Sequence, residues 1–246
     1  MTGAILNAVG ILIGGLIGLS RSAPLSAKTA SFFQLVLGVL TVFYGLRLAW
    51  ISIGGSAGLV LKQICIAFLA VMFGKLLGHW LHLQAGSNRA GQYARKLIEQ
   101  SQQQDALRFS NGLTSCAILF CASPLGILGA IQDGLPGQPD GQGYYYPLAV
   151  KAVMDALAMI SFVRLFGTGA VVSALPVFLF QGTLTLSCAI YLQPFLQAHQ
   201  LLDSVNAVGG LLLCTVGMVI FEIRRVELAD FLPALAVAPV LTWFWR

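Results

Sequence analysis

Charge is what this chain has least of: 9% of its 246 residues are Asp, Glu, Lys or Arg, against about a quarter in soluble domains. So few charges cannot cover a soluble domain of this length. The remainder, 57% hydrophobic with a mean hydropathy of +0.83, points to lipid. The apolar runs do not alternate, which excludes barrel strands and leaves helices, the other backbone that satisfies its own hydrogen bonds in hydrocarbon. Cys65, Cys116, Cys121, Cys188 and Cys214 all lie in apolar runs with no Cys-x-x-Cys among them. They read as small buried hydrophobes, not as a disulfide framework or metal knuckle. There is no His-Glu-x-x-His, no phosphate-cradling glycine loop before Lys-Ser/Thr, and no nucleophile beside a base, so neither an enzyme nor a cofactor is expected. His79-x-x-His82 lacks an acid or cysteine nearby in sequence and reads as an interfacial pair, with no metal site expected. Nor does any basic helix or aromatic-interleaved basic patch argue for nucleic acid. The N-terminus lacks the basic stretch of a cleavable signal peptide and reads as a retained first membrane helix.

At about 20 apolar residues per crossing, the sequence predicts an all-α, polytopic bundle of eight helices. They run near 3–20, 31–50, 57–78, 108–131, 146–166, 169–193, 205–223 and 228–245, all in one integral membrane domain over 1–246. Asp230, Pro233 and Pro239 interrupt the last of these, so seven spans with a re-entrant tail is the alternative. Positive charge falls in alternate loops, at Arg21 and Lys28, at Arg89, Arg95 and Lys96, at Arg164, and at Arg224 with Arg225. Cytoplasmic loops hold the excess of Lys and Arg, so both termini are expected outside a bacterial inner membrane. The opposite loops hold Asp133, Asp140 and Asp203. Trp50, Tyr144 to Tyr146, Tyr191, Trp243 and Trp245 then fall at outer ends and Trp80 at an inner end, where interfacial aromatics belong. Within 85–106, Ala90, Tyr93, Ala94, Leu97 and Ile98 form one apolar stripe at helical spacing. It reads as a cytoplasmic amphipathic linker at the membrane face or, alternatively, a partner-docking helix.

Against this background the polar residues within the spans stand out. Lys151 and Asp155 sit four apart in the fifth span, about 10 and 16 Å below its outer end, which puts Asp155 near the midplane of a ~30 Å hydrocarbon layer. An ionisable group at that depth faces a protein interior or a water-filled path, and the spacing lets the two meet on one helix face. The bland alternative is an ion pair that pins packing. Two other spans look broken, the fourth at Ser123-Pro124 and the sixth around Pro176 and Gln181-Gly182. Such interruptions expose backbone groups that need partners and supply Asn111 and Gln181 as neighbours for the pair. In the first span Gly10, Gly14 and Gly18 recur at four-residue steps with Asn7 one turn earlier. That face suits close packing, within the chain or between copies in a homo-oligomer. Asn7-Ala-Val-Gly10 recurs as Asn206-Ala-Val-Gly209 in the seventh span, a hint of an internal repeat that makes Asn206 a second packing asparagine.

Taken in order, Gly3-x-x-x-Asn7, Gly14-Gly15-x-x-Gly18, Gly129-Ala-Ile-Gln132-Asp133-Gly134, Lys151-x-x-x-Asp155, Gln181-Gly182, Ala207-Val-Gly-Gly210 and Leu232-Pro-Ala-Leu235 resemble the bacterial YqgA/YdfK-type family, domain of unknown function 554. The resemblance runs end to end. It implies a polytopic inner-membrane protein and carries no activity with it. Asp230 stands where the family pattern leads one to expect asparagine.

Two functional classes follow. One is a transporter- or channel-like protein for a small solute or ion, with Asp133 at the outer mouth and Lys151, Asp155, Gln181 and Asn111 along the path. The alternative is a non-transporting scaffold or regulatory membrane protein that contacts partners through 85–106.

Overall fold

The computed structural model describes residues 1–20, 25–103, 107–137, 141–224 and 226–245. Arg21, Asp140, Arg225 and the end of the expected linker, 104–106, lie outside the described residues. Among those described there is no strand, and one isolated antiparallel bridge joins Pro136 to Gly143.

Helices α1 (Thr2–Ser20), α2 (Ala27–Ser52) and α3 (Ala57–Trp80) lead into α4 (Leu83–Gln103). Ser26 caps α2 by accepting from the Thr29 N–H at 3.1 Å, satisfying one of the donors every helix start leaves free. A broken pair follows, α5 (Arg108–Cys121) and α6 (Pro124–Gly134), bent by 61°. Pro124 opens α6 in the first turn, where its missing N–H loses no helical bond. The long α7 (Tyr146–Phe166) ends at Gly167, whose φ of +66° favours glycine. Next come α8 (Thr168–Val172), α9 (Ala174–Ser187), a π-helical turn (Cys188–Leu192) and α10 (Gln193–Ala198). The chain closes with α11 (Leu202–Ile220), α12 (Leu228–Phe231) and α13 (Ala234–Phe244).

Five stretches are long and apolar enough to cross a membrane: α1, α2, α3, the run Thr168–Ala198 and α11. The bent α5/α6 pair makes a sixth if it counts as one span. Eight is therefore more than length and apolarity support. Of the two further expected crossings, α7 carries Lys151, Asp155 and Arg164, and the last apolar stretch, Leu228–Phe244, is shorter. The interruption expected at Pro176 and Gln181-Gly182 lies earlier, at Ser173 between α8 and α9. Pro176 falls in the first turn of α9 and is tolerated there, and the helix continues unbroken through Gln181 and Gly182.

Glycines set the closest approaches. A Cβ at Gly10 or Gly14 would run into the carbonyl of Ala152 or Ala156, and one at Gly18 would crowd the Ile160 backbone. Both sequences ascend together, so α1 and α7 run parallel in near backbone contact. On the other side Gly45 meets the Gly210 carbonyl, Gly217 meets Val42 and Gly38 meets Phe221, so α2 and α11 run antiparallel. On α3, Gly74 lies on Ala234 and Gly78 on the Asp230 carbonyl, which seats α12 and α13. Removing Cβ is how helices in lipid gain dispersion contacts, and here the glycine faces are used within one chain. The two asparagine helices take different partners in opposite senses, so the Asn-Ala-Val-Gly match does not mark equivalent packing.

Helix α4 lies along α5. Ala94 and Leu97 are buried, while the Asn111 Nδ2 donates to the Leu97 carbonyl and the Ser115 hydroxyl to the Ala94 carbonyl, each at 3.4 Å. Tyr93, expected on the same stripe, is exposed. Elsewhere Leu16, Leu61, Phe68 and Leu76 project outward, and Trp50 and Trp80 are largely exposed, as a lipid-facing surface and its interfaces require. Tyr144 departs from the expected aromatic belt. It is buried and its hydroxyl donates to the Tyr44 carbonyl at 2.6 Å.

Candidate functional site

The fifth-span pair is buried and joined: Lys151 Nζ donates to Asp155 Oδ2 across one helical turn, with both residues less than a tenth exposed. The i, i+4 spacing on α7 makes the contact local, and three other elements enclose it. From α5, the Phe120 ring centroid lies 5.4 Å from the Lys151 ammonium, so the negative face of the ring supplements the carboxylate. From α6, Gly126 leaves room for the lysine stem and the Gln181 amide, since a Cβ there would sit 2.8 Å from Lys151 Cε and 3.2 Å from Gln181 Nε2. From α1, the Asn7 Nδ2 donates to Gln181 Oε1 at 2.9 Å.

This joins Asn7, Gln181, Lys151 and Asp155 in one cluster, with two atoms left over. Asn7 Oδ1 and Gln181 Nε2 are buried without a hydrogen-bond partner in the protein. A buried polar atom left unpaired costs about 1–3 kcal/mol, and the great majority of such atoms are paired. One acceptor and one donor are thus open beside a buried ion pair.

The other expected site residues go elsewhere. Asn111 bonds to α4 and does not reach the pair. Asp133, at the C-terminal end of α6, is 4% exposed and turned onto the start of α1. Its Oδ2 accepts from the Gly3 N–H at 3.1 Å and the Ala4 N–H at 3.4 Å, and it lies 3.3 Å from the Met1 ammonium. A carboxylate meeting the free donors and positive dipole end of a helix is well placed. Asp133 therefore holds α1 against α6. Asn206 donates through Nδ2 to the Pro136 carbonyl at 2.8 Å.

Sequence reasoning passed over three contributors. Phe120 carries no signal in an apolar run. Gly126 follows the break at Pro124 and could have been read as making room. Gln132 stood next to Asp133 in a quoted motif and is completely buried. At the opposite end Asp230 Oδ1 accepts from the Gln84 N–H at 2.8 Å while Gln84 Oε1 accepts from the Ala229 N–H at 3.1 Å. That reciprocal pair ties the start of α4 to α12. His79 Nδ1 lies 3.8 Å from Asp230 Oδ2, with Glu227 in the same cluster. Outside the spans, burial pushes the Tyr144 hydroxyl above its ordinary range, so it stays neutral and serves as a hydrogen-bond donor under the loop.

Residues 2–243 match the profile of DUF554, described as a protein of unknown function. The chain belongs to that family. Among its relatives, the uncharacterized protein YqgA of Escherichia coli K12 is 30% identical over 248 residues, covering 99% of this chain and 97% of YqgA. The uncharacterized membrane protein YdfK of Bacillus subtilis 168 is 25% identical over 241 residues, covering 98% of this chain and 95% of YdfK. No solved structure matches the chain. The DUF554 chain described here is thus a transmembrane helical protein similar end to end to relatives from two bacteria.

Proposed function

We propose that the chain is a transporter- or channel-like protein of the bacterial inner membrane, moving a small solute or ion past a polar centre made by Lys151, Asp155, Asn7 and Gln181. The observation that carries this reading is the open pair of atoms, Asn7 Oδ1 and Gln181 Nε2, buried beside an intramembrane ion pair. Charges at membrane depth mark ion and substrate pathways, and a broken helix at the same place is a transporter's way of presenting backbone and side chains to a solute. Here α6 begins at the break and passes Gly126 against Lys151 and Gln181. Solute entering between α1, α6 and α9 would exchange with the Lys151–Asp155 contact and use the two open amide atoms as its first partners. Asp133, with its oxygens engaged by α1, anchors the path's outer wall. The alternation of positive loops supports an outside N-terminus.

The test is flux in proteoliposomes. Wild type is screened with ions and metabolites and compared with Asp155→Asn, which keeps the side-chain shape and removes the charge. The reading expects a solute whose movement exceeds that of empty liposomes and falls at least about tenfold in the variant, the loss of one charge-assisted bond. No flux of any solute, or equal flux in a folded variant, sinks it.

A further inference from the structure

Among the described residues three carboxylates are buried, Asp133, Asp155 and Asp230, and two of them face an amine. Asp133 meets the Met1 ammonium and Asp155 meets Lys151. Asp230, 2% exposed, has no Lys or Arg of the described residues within ion-pair distance; the group turned to it is the imidazole of His79, whose Nδ1 lies 3.8 Å from Asp230 Oδ2. Lys75, one turn before His79 on α3, directs its ammonium to the Phe231 ring instead, 5.3 Å from the centroid. A carboxylate taken out of water without a counter-charge costs several kcal/mol, so Asp230 is short of a cation.

Its surroundings hold it in the attitude of a metal ligand. Asp230 Oδ1 accepts from the Gln84 N–H at 2.8 Å, the kind of outer hydrogen bond that orients a ligating carboxylate. That leaves Oδ2 toward His79 with no hydrogen bond among the described residues. Gly78 lies directly on the Asp230 carbonyl, so backbone contact between α3 and α12 fixes where the neighbouring His79 stands. Glu227, just before α12, completes the set, and one ligand atom from each of the three lies within 4.8 Å of the others. A tetrahedral zinc ion with bonds of about 2.0–2.2 Å holds its ligand atoms about 3.3–3.6 Å apart. His79 and Glu227 are exposed, and rotation of their side chains closes that difference. The acids that sequence spacing does not place beside His79 arrive through the fold. One imidazole with two carboxylates suits zinc and its first-row neighbours over calcium or magnesium, which take oxygen ligands.

We infer that His79, Glu227 and Asp230 form a binding site for a zinc-type divalent transition-metal ion at the junction of α3, α12 and the start of α4. The ion supplies the counter-charge that Asp230 lacks and ties the end of α3 to α12, and three protein ligands leave a fourth position for water. The inference does not depend on the Lys151–Asp155 reading, which uses other residues.

Isothermal titration of Zn2+ into the full chain, tag-free, chelator-stripped and in nanodiscs, is the measurement. The expected result is one ion bound per chain, above the heat of empty nanodiscs and undisplaced by excess Mg2+. His79→Ala removes an exposed ligand, and Asp230→Asn keeps the acceptor for Gln84 while removing the charge; each should weaken Zn2+ binding at least about tenfold. Zn2+ should also raise the thermal midpoint of wild type and leave that of Asp230→Asn unchanged. His82→Ala should bind as wild type does, since His82 is outside the cluster. So should Lys151→Met/Asp155→Leu, which separates failure here from failure of the ion-pair reading. No heat above empty nanodiscs, displacement by Mg2+, unchanged binding in His79→Ala and Asp230→Asn, or an equal loss in His82→Ala overturns the assignment and leaves a direct His79–Asp230 contact as the reason the two meet.

Discussion

Two helix pairs in this protein approach each other by leaving out side chains, and only one of them carries a buried ion pair at mid-helix. The α1/α7 seam uses Gly10, Gly14 and Gly18 against the α7 backbone and holds Lys151, Asp155 and Asn7. The α2/α11 seam uses Gly38, Gly45, Gly210 and Gly217. Its middle is apolar, the Thr41 hydroxyl returning to its own helix at the Leu37 carbonyl. The second seam shows that close packing in this fold needs glycine and no ion pair. Taking two charges into low dielectric costs several kcal/mol each and is repaid only with good geometry and extra hydrogen bonds. A pair kept merely to pin helices would be an expensive duplicate of what glycine already does across the bundle. The contrast favours a use for Lys151 and Asp155 other than packing.

Removing that likeness of packing should have the largest effect. Gly14→Leu drives a side chain into the Ala156 backbone and Gly210→Leu into Gly45 and Ala49. Overpacking that cannot relax exceeds the ~1–3 kcal/mol of ordinary cases, so both variants should fail to give monodisperse protein in fluorescence-detected size exclusion. A stable protein from either would show the seams to be looser than described. Next in size, Lys151→Met alone strands a buried carboxylate and should cost about 3–5 kcal/mol, read as a lowered thermal midpoint in detergent. Lys151→Met/Asp155→Leu should recover most of that loss, because replacing both charges with apolar groups is often neutral or better. Asp133→Asn keeps an acceptor for Gly3 and Ala4 but drops the charge at the α1 dipole, an effect of about 1 kcal/mol, checked by the same melting assay. The smallest is Asp230→Asn, which restores the family's expected residue. The amide oxygen still accepts from Gln84, so the metal-free stability should move by less than ~0.5 kcal/mol, and a larger drop would make the His79, Glu227 and Asp230 cluster more than a helix tie even without its ion.

Much of this was legible from periodicity and composition. Glycines at four-residue steps do mark a tight face, Lys151 and Asp155 do pair across one turn, and the proline at 124 does break its span. What escaped were facts of tertiary direction. Asn111 and Asp133 carry the same signal as Gln181, a polar residue in or at the end of an apolar run, yet α4 takes the first and the start of α1 the second. Nothing local in a sequence says which neighbour an amide will face. Pro176 looked like a break and is not one, because the helix restarts two residues before it and proline fits a first turn. Gln132 carries no signal of its own beside Asp133, because a sequence does not say whether a buried amide finds a partner, and here neither end of it does.

The most direct test of the central claim uses the Lys151→Met/Asp155→Leu variant, because it removes the charges without leaving either one stranded. Its thermal midpoint and its solute flux in proteoliposomes should be measured together against wild type. A midpoint within a few degrees of wild type, with flux reduced to that of empty liposomes, is the result expected if the pair serves transport. A variant that is strongly destabilised, or one that is stable and still moves solute at the wild-type rate, contradicts it and returns the pair to a packing role.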